Sequence, residues 1–564
     1  MIHNKYRKTL SVLLLAFSIF ASGCTNSEEK PPDTVEVKQP EQIDIKAGEL
    51  IEQMIRYADE NKGHINDSVE LRQFQLVKTY YTNNQFQPVW STRDEWNPIA
   101  DSLYRFIYFS KHYGLFPTDY HVASLLNMRN GLVADTLHKK NAALWARADL
   151  MLTDAYLNIA THLKLGRLPK DSVTLRNDSI VKPDYFLGLL QEAIGDKNIV
   201  SHLNSTEPSH RGYRELKAVI PAFLDSAKLV PTTYISYPYR DTAAFKVQVI
   251  KRFSELGEPI AAGDTQQLRQ AVIKYQKEKG IRATGEIGAQ TAASLNTNDW
   301  ERFKRIAITL DRYKMLADTM PEKYIWVNIP AFQMQLRDTD TVGIESRVVV
   351  GKPITRTPLL TGRITDMVTY PQWTIPTSII AKEILPGIKK DPEYLAKKGY
   401  SLVDDKGEVI DPYTVDWTKY KKGIPYKVVQ GSGDDNALGI LKFNFSNKYS
   451  VYLHDTNQRY FFKNTMRALS HGCVRVQEWQ KLAYFILSND SINGPVNIQS
   501  FKSDSLRAWL QRKEKHVIPV RTRIPLYIRY FTCEAREGKL KIYDDIYGED
   551  KILSERYFAS KPIF

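Results

Sequence analysis

The sequence predicts an α+β multidomain chain, with a helical N-terminal scaffold, a small three-helix module, and a β-rich C-terminal domain carrying a capping insertion. Three observations predict it. Apolar residues recur at helical spacing through residues 43–240, as at Ile99, Leu103, Phe106 and Ile107. Two short helical patterns punctuated by Gly280, Gly285 and Gly288 follow. From Tyr324 onward the pattern changes to strand-like runs. With 564 residues there is room for roughly three to four domains.

The first segment reads as an export signal over residues 1–23. Lys5, Arg7 and Lys8 precede an apolar stretch from Leu10 to Phe20, too short to span a bilayer. Ala21-Ser22-Gly23 then abuts Cys24, which resembles a bacterial lipobox, although Ala21 stands where leucine is usual. Lipidation of Cys24 would anchor the chain to a membrane, inner or outer, facing the periplasm; simple secretion is the alternative. Residues 24–42 are polar and contain Pro31, Pro32 and Pro40, the composition of a flexible tether.

Residues 43–240 read as a helical scaffold without chemistry of its own. Gly114 and Gly166 stop two of its helices, and Pro117 and Asp119 mark a turn. His121 and His162 sit in no metal-spaced cluster. Residues 241–300 form the small module. There Asp264, with Gln267 three residues on, resembles a capping box, and Leu268, Ala271, Val272 and Tyr275 line one helix face. Residues 301–322 read as a charged connecting helix. The β-rich domain covers 323–550, interrupted by an insertion or lid at 378–430, and residues 551–564 read as a tail.

Charge bounds the partners. The formal net charge is +14, which suits an anionic polymer or lipid surface. No compact basic block with interleaved aromatics points to nucleic acid. Three cysteines in an exported chain leave Cys473 and Cys533 once Cys24 carries lipid, so a reactive thiol is more plausible than a disulfide framework. Cys533 reads as a packing residue.

The chemistry concentrates in two strings, Val451 to Thr456 and Arg467 to Val476. Strand alternation puts Val451 and Leu453 on one face and Tyr452 and His454 on the other, so His454 need not be buried. Gly472 lets the chain turn beside Cys473, with backbone N–H groups available to an oxyanion. A thiol must become a thiolate to attack, and His454 or His471 could accept its proton. A base on another strand reaches the sulfur more freely, which favours His454. Zinc held by His454, His471 and Cys473 would lack a fourth ligand, and an inert buried cysteine is the other alternative.

These strings resemble the L,D-transpeptidase family with a YkuD-type catalytic domain, in which a histidine is followed about fifteen residues later by Ser/Thr-His-Gly-Cys. Ser470-His471-Gly472-Cys473 is complete here, and Arg475 stands where asparagine is frequent. That arginine, with Val327-Asn328-Ile329-Pro330, Gly351-Lys352, Thr357-Pro358, Pro371-Gln372-Trp373 and Asn436-Ala437-Leu438-Gly439, resembles the larger YcbB-type branch. The module resembles a three-helix peptidoglycan-binding domain through Ala271 to Gln276, Gly280-Ile281 and Thr284-Gly285. The resemblance implies a cysteine acyltransferase of cell-wall biogenesis that needs no cofactor and no metal. Cys473 would form a thioester with a tetrapeptide stem, releasing D-alanine, and a second stem's amine would resolve it into a 3→3 cross-link. His454 would be the base. Ser470, His471 and Gly472 would shape the loop and its oxyanion contacts. Arg475 would hold a substrate carboxylate or a structural salt bridge, and Tyr452 and Trp373 would line the cleft or the core. The implied partners are peptidoglycan stem peptides, the membrane through the N-terminal lipid, and other wall-synthesis proteins. L,D-carboxypeptidase action, release of a wall-anchored protein and a non-catalytic wall-binding lipoprotein remain open at this point.

Overall fold

The computed structural model describes residues 29–178, 181–339, 341–494 and 501–558; the expected export segment and Cys24 lie outside them. The chain divides into two compact units. One comprises residues up to Trp96 together with Met128–Asp154, the other Asn97–Asn127 together with Ala155 onward. The helical region expected as one scaffold is therefore shared between two units.

In the first unit, helix Ile43–Glu60 buries Ala47, Leu50, Ile51, Met54 and Ile55 along one stripe, the spacing of a helix packed on one side. Buried Asp149 accepts hydrogen bonds from the Val89 and Trp90 N–H groups at 3.0 and 2.9 Å, satisfying a loop that leaves Trp90 fully buried. Part of the expected tether is docked. Val35 N–H donates to Asn141 Oδ1 at 2.9 Å, Val37 N–H to the Lys140 carbonyl at 3.0 Å, and Arg147 pairs with Asp33 at 2.8 Å. Two β-branched residues in extended backbone supply that pairing, which a composition argument does not register.

The second unit contains the β-rich domain. Its strands are β1 (Lys323–Asn328), β2 (Gln333–Asp338), β3 (Thr341–Gly351), β4 (Leu360–Thr369), β5 (Leu441–Phe445), β6 (Leu453–His454), β7 (Val474–Val476) and β8 (Pro525–Arg529). They pair in the ring β1-β2-β3-β7-β6-β5-β4-β8 and back to β1, a barrel-like closure. The β6–β7 and β8–β1 pairings are parallel and the rest antiparallel. Alternation explains the inside. Leu441, Phe443 and Phe445 of β5, Leu453 of β6, and Val474 and Val476 of β7 all join one buried core. Helix Trp479–Asn493 adds Leu482, Ala483 and Ile486 to it.

β1 is buried on both faces. Ile325 and Val327 point into the barrel, while Tyr324 and Trp326 meet Ile306, Leu310 and Tyr313 of helix Asp299–Lys314. That helix was expected to be a charged connector, yet most of it is buried. Its charges neutralise one another at i,i+3 spacing, Lys304 with Glu301 at 2.7 Å and Lys314 with Asp311 at 2.8 Å. Its other side packs Phe303, Ala307 and Ile308 against Phe116 and Phe558.

Phe558 follows a further helix, Glu549–Tyr557, where a tail was expected. The helix is held by Asp550, 2% exposed, which forms an ion pair with Arg312 at 2.5 Å and accepts the Thr532 hydroxyl. A partner more than two hundred residues away in sequence is invisible to a local reading.

Helices Thr242–Glu255, Thr265–Glu278 and Ala289–Leu295 share a core of their own that includes Phe245, Phe253, Val272 and Leu295. Asp264 caps the second of them by accepting the Gln267 N–H at 2.8 Å. The Gln267 side chain does not return the bond as a capping box would; it donates to the Pro259 carbonyl instead.

The insertion is a folded body with its own sheet. Strands Trp373–Thr374, Lys427–Gln430, Tyr400–Val403 and Val409–Ile410 pair in that order, over a core of Ile375, Ile380, Ile384, Ile388, Leu395, Leu402 and Val428. It begins earlier than expected, because Trp373 and Thr374 pair with Gln430 and Val429. It leaves the barrel after β4 and returns at β5, and these ends touch through Tyr370 N–H to the Ile440 carbonyl at 2.9 Å.

The Arg312–Asp550 pair yields a stability prediction. Asp550→Ala leaves a buried guanidinium without its carboxylate, so unfolding in urea should show a loss of about 3–5 kcal/mol. A loss below about 1 kcal/mol, the scale of an exposed pair, would mean that the C-terminal helix is an appendage.

Candidate active site

The site is built on the outer face of β5, β6 and β7. Leu453 and His454 of β6 stand opposite Val474 and Arg475 of β7, and Lys442 of β5 stands opposite His454. Lys442, His454 and Arg475 therefore form one row across three strands. One step away lie Tyr452 and Cys473, joined by Val474 N–H to the Tyr452 carbonyl at 3.1 Å. The face predicted from alternation for Tyr452 and His454 is the face they occupy.

The turn before Cys473 is fixed from several sides. Gly472 has φ +123°, a conformation open to glycine and strained for other residues. Ser470 Oγ donates to the Cys473 carbonyl at 2.6 Å and accepts the Gly472 N–H at 3.2 Å. Thr357 Oγ1 donates to the Gly472 carbonyl at 2.8 Å and accepts the Gly351 N–H at 2.9 Å. A Cβ on Gly351 would fall 2.1 Å from the Thr355 carbonyl oxygen, so only glycine lets this loop close. Tyr547 adds a bond from its hydroxyl to the Gly351 carbonyl at 2.7 Å. Because the Gly472 N–H is held by Ser470, the Cys473 N–H, which has no partner among the described residues, is the donor left for an oxyanion.

His454 is buried, 4% exposed, and not at the surface as its strand-end position allowed. Burial, helped by the Arg475 charge, pushes its imidazole down to about 3, so the ring is neutral at physiological pH. Its Nδ1 has no hydrogen-bond partner. Cys473 is partly exposed, and its Sγ donates to the Ser450 carbonyl at 3.8 Å. Burial raises its thiol above the ordinary value, while Tyr452, Lys442 and Arg475 act in the opposite direction. The resting pair is thus a thiol and a neutral imidazole. His471 lies apart, at the surface, bonded to Glu383 of the insertion at 2.6 Å.

Arg475 is not in a salt bridge with any described carboxylate. Its Nη1 donates to Gln458 Oε1 at 3.0 Å, its guanidinium lies 5.5 Å over the Phe461 ring, and its buried Nε has no partner. Trp373 Nε1 is likewise buried and unpartnered. Tyr452 stacks edge-on to His454 at 5.8 Å, with Lys442 Nζ 4.0 Å over its ring. Lys442 and Glu383 were given no role at the site from the sequence. Alternation within Leu441-Lys442-Phe443 could have placed Lys442 on the outer face; nothing local marks Glu383. Cys533 is fully buried and remote from this row, in the core behind β1.

A family model described as the L,D-transpeptidase catalytic domain matches residues 322–498. Those residues form an L,D-transpeptidase catalytic domain. Residues 75–219 match a model described as a scaffold domain. A Haemophilus influenzae protein provisionally named L,D-transpeptidase is 34% identical over 249 residues, 44% of this chain and 48% of its own. The chain spans about half the length of that relative. Among solved structures, an L,D-transpeptidase from Mycobacterium smegmatis is similar at 13% identity, covering 38% of this chain and 61% of its own, with a TM-score of 0.18. A variant of the Enterococcus faecium L,D-transpeptidase is similar at 11% identity, covering 56% of this chain and 98% of its own, with a TM-score of 0.14. Superpositions this loose add nothing to the match of residues 322–498.

In the L,D-transpeptidase domain the raised thiol and depressed imidazole predict a particular pH profile. A thiol held above its ordinary value is protonated at neutral pH, so the rate of Cys473 alkylation by iodoacetamide should still be climbing between pH 7 and 9. Mass spectrometry of the labelled peptide separates Cys473 from buried Cys533. A rate already level by pH 6 would mean a resting thiolate–imidazolium pair and overturn the assignment of a neutral ground state.

Proposed function

We propose that the chain is a cysteine-dependent L,D-transpeptidase that forms 3→3 cross-links between peptidoglycan stem peptides. The observation that carries this reading is the pairing of β6 with β7, which brings His454 of β6 beside the strand that Cys473 immediately precedes, in a domain matching the L,D-transpeptidase family.

The chemistry follows from the two groups. His454 takes the proton of Cys473 as the sulfur attacks the carbonyl of diaminopimelate in a tetrapeptide stem. The tetrahedral oxyanion faces the Cys473 N–H. Its collapse breaks the bond to the terminal D-alanine, which leaves with the proton from His454, and a thioester remains. The side-chain amine of a second stem attacks the thioester and yields a proton to His454. The departing sulfur recovers that proton, closing the cycle. A depressed imidazole suits the proton-returning steps, since its conjugate acid gives up the proton readily. Arg475, with a free Nε and no paired carboxylate, is suited to a substrate carboxylate. Tyr452 lies against the thiol, and a cap formed by the insertion is supported by the contact of its Glu383 with His471.

The neutral imidazole supports His454 over His471 as base, because His471 is engaged at the surface. Lipid on Cys24 would hold the enzyme at the periplasmic face of a membrane, and the three-helix module would bind the wall.

Two experiments test this reading. Mass spectrometry of muropeptides after incubation with purified enzyme should detect tripeptide–tetrapeptide dimers with the wild type and none with Cys473→Ala. His454→Ala should slow acylation by about 10²–10⁴-fold, and His471→Ala by much less. Products consisting only of tripeptide monomer would make the enzyme a carboxypeptidase, and a fully active Cys473→Ala would overturn the mechanism. Separately, residues 233–298, which include a self-contained core, should co-sediment with purified sacculi; recovery only in the supernatant would reduce the module to a spacer.

A further inference from the structure

A cavity of about 1010 Å³ opens at the end of β7 away from the nucleophile. Cys473 precedes the strand and Gln477, in the cavity wall, follows it, a separation of ~13 Å at the rise of a strand. Neither Cys473, His454, Arg475, Tyr452 nor Trp373 lines this cavity.

Its wall brings together Arg347, Lys463 and Arg467. Arg467 is held by backbone carbonyls, donating to Val348, Asn464 and Phe332 at 3.2, 2.7 and 3.1 Å, with its guanidinium 5.3 Å over the Phe332 ring. Arg347 makes one such bond, Nη1 to the Phe462 carbonyl at 3.1 Å, leaving its Nε–Nη2 edge free. No described carboxylate pairs with either guanidinium. Of the acids in the same wall, Glu345 pairs with Arg536, also in the wall, at 2.5 Å, Glu478 pairs with Lys481 at 3.1 Å, and Asp544 pairs with neither Arg347 nor Arg467. Burial and the nearby Arg347 charge both lower Arg467 from its ordinary value, the mark of two like charges without a counter-ion. An anion arriving between them relieves that repulsion, and a free guanidinium edge matches a carboxylate in bidentate fashion.

We propose that the cavity beside Arg347 and Arg467 is a second carboxylate-binding site, which holds a stem peptide of the wall while another is processed at Cys473. It rests on the peptidoglycan reading above and adds a point of attachment to it. The chain order gives the site a direct line to the chemistry. Arg467 leads into strand Ala468–Ser470, which pairs with β3 and delivers His471-Gly472-Cys473. A polymer carrying one carboxylated stem after another can engage both ends of that segment.

Isothermal titration of a disaccharide-tetrapeptide into full-length Cys473→Ala provides the test. Two binding sites are expected. In the Cys473→Ala protein that also carries Arg347→Glu, one site should be lost or weakened at least tenfold while the other is unchanged; Lys463→Glu, on an exposed side chain, provides a second variant if the first lowers Tm. The Arg347→Glu enzyme with Cys473 intact should retain its turnover of a small soluble tetrapeptide donor. The same titration with an amidated tetrapeptide should lose the site that Arg347→Glu removes, whatever amidation costs at the Arg475 site, and inorganic phosphate should not displace the carboxylated ligand. One site that neither variant alters overturns the inference while leaving the transpeptidase reading in place. No binding at all overturns the peptidoglycan reading itself, and displacement by phosphate with indifference to amidation makes the cavity a phosphate site and refutes this proposal.

Discussion

The parallel pairing of β6 with β7 is the constraint on which the catalytic domain depends. It matches Leu453 with Val474 in the barrel core, and by the two-residue period of a strand it sends His454, Arg475 and Tyr452 to the outer face. A slip of one residue would bury the imidazole–guanidinium row in the core and push Leu453 and Val474 into water. The hydrophobic core is therefore also what aims the chemistry. The glycine turn at Gly472 then needs only to deliver Cys473 at the head of β7, and the bonds from Ser470 and Thr357 keep it there.

Around that row several polar atoms are buried without partners, namely His454 Nδ1, Trp373 Nε1 and Arg475 Nε. Each such atom ordinarily costs about 1–3 kcal/mol. Asn328, by comparison, satisfies both the N–H and carbonyl of Phe531 at 3.0 and 2.9 Å. A polar ligand on the outer face of β5–β7 would recover part of that cost.

What could be read from the sequence was whatever short-range rules govern. The period-two pattern of Val451 to His454, the glycine ahead of Cys473 and the cap at Asp264 were legible because each depends on neighbours in the chain. The remainder turned on distant partners. Helix Asp299–Lys314 looks solvent-facing because its charges are numerous, but pairs such as Lys304–Glu301 neutralise locally and let it lie between two cores. The C-terminal helix depends on Arg312, and the docking of Val35 and Val37 depends on backbone groups near Asn141. His454 was placed on the right face and misjudged in depth, because alternation gives direction and says nothing of what lies above the strand. Glu383 is 88 residues from the histidine it meets.

The insertion enters and leaves the barrel through adjacent strands whose ends are one hydrogen bond apart. Its closure entropy grows only slowly with length, and its own core carries its folding. The barrel can therefore close whatever the length of chain between Tyr370 and Ile440, and this junction is a natural splice point. A body of another size or shape could be seated there without altering the pairing of β5, β6 and β7.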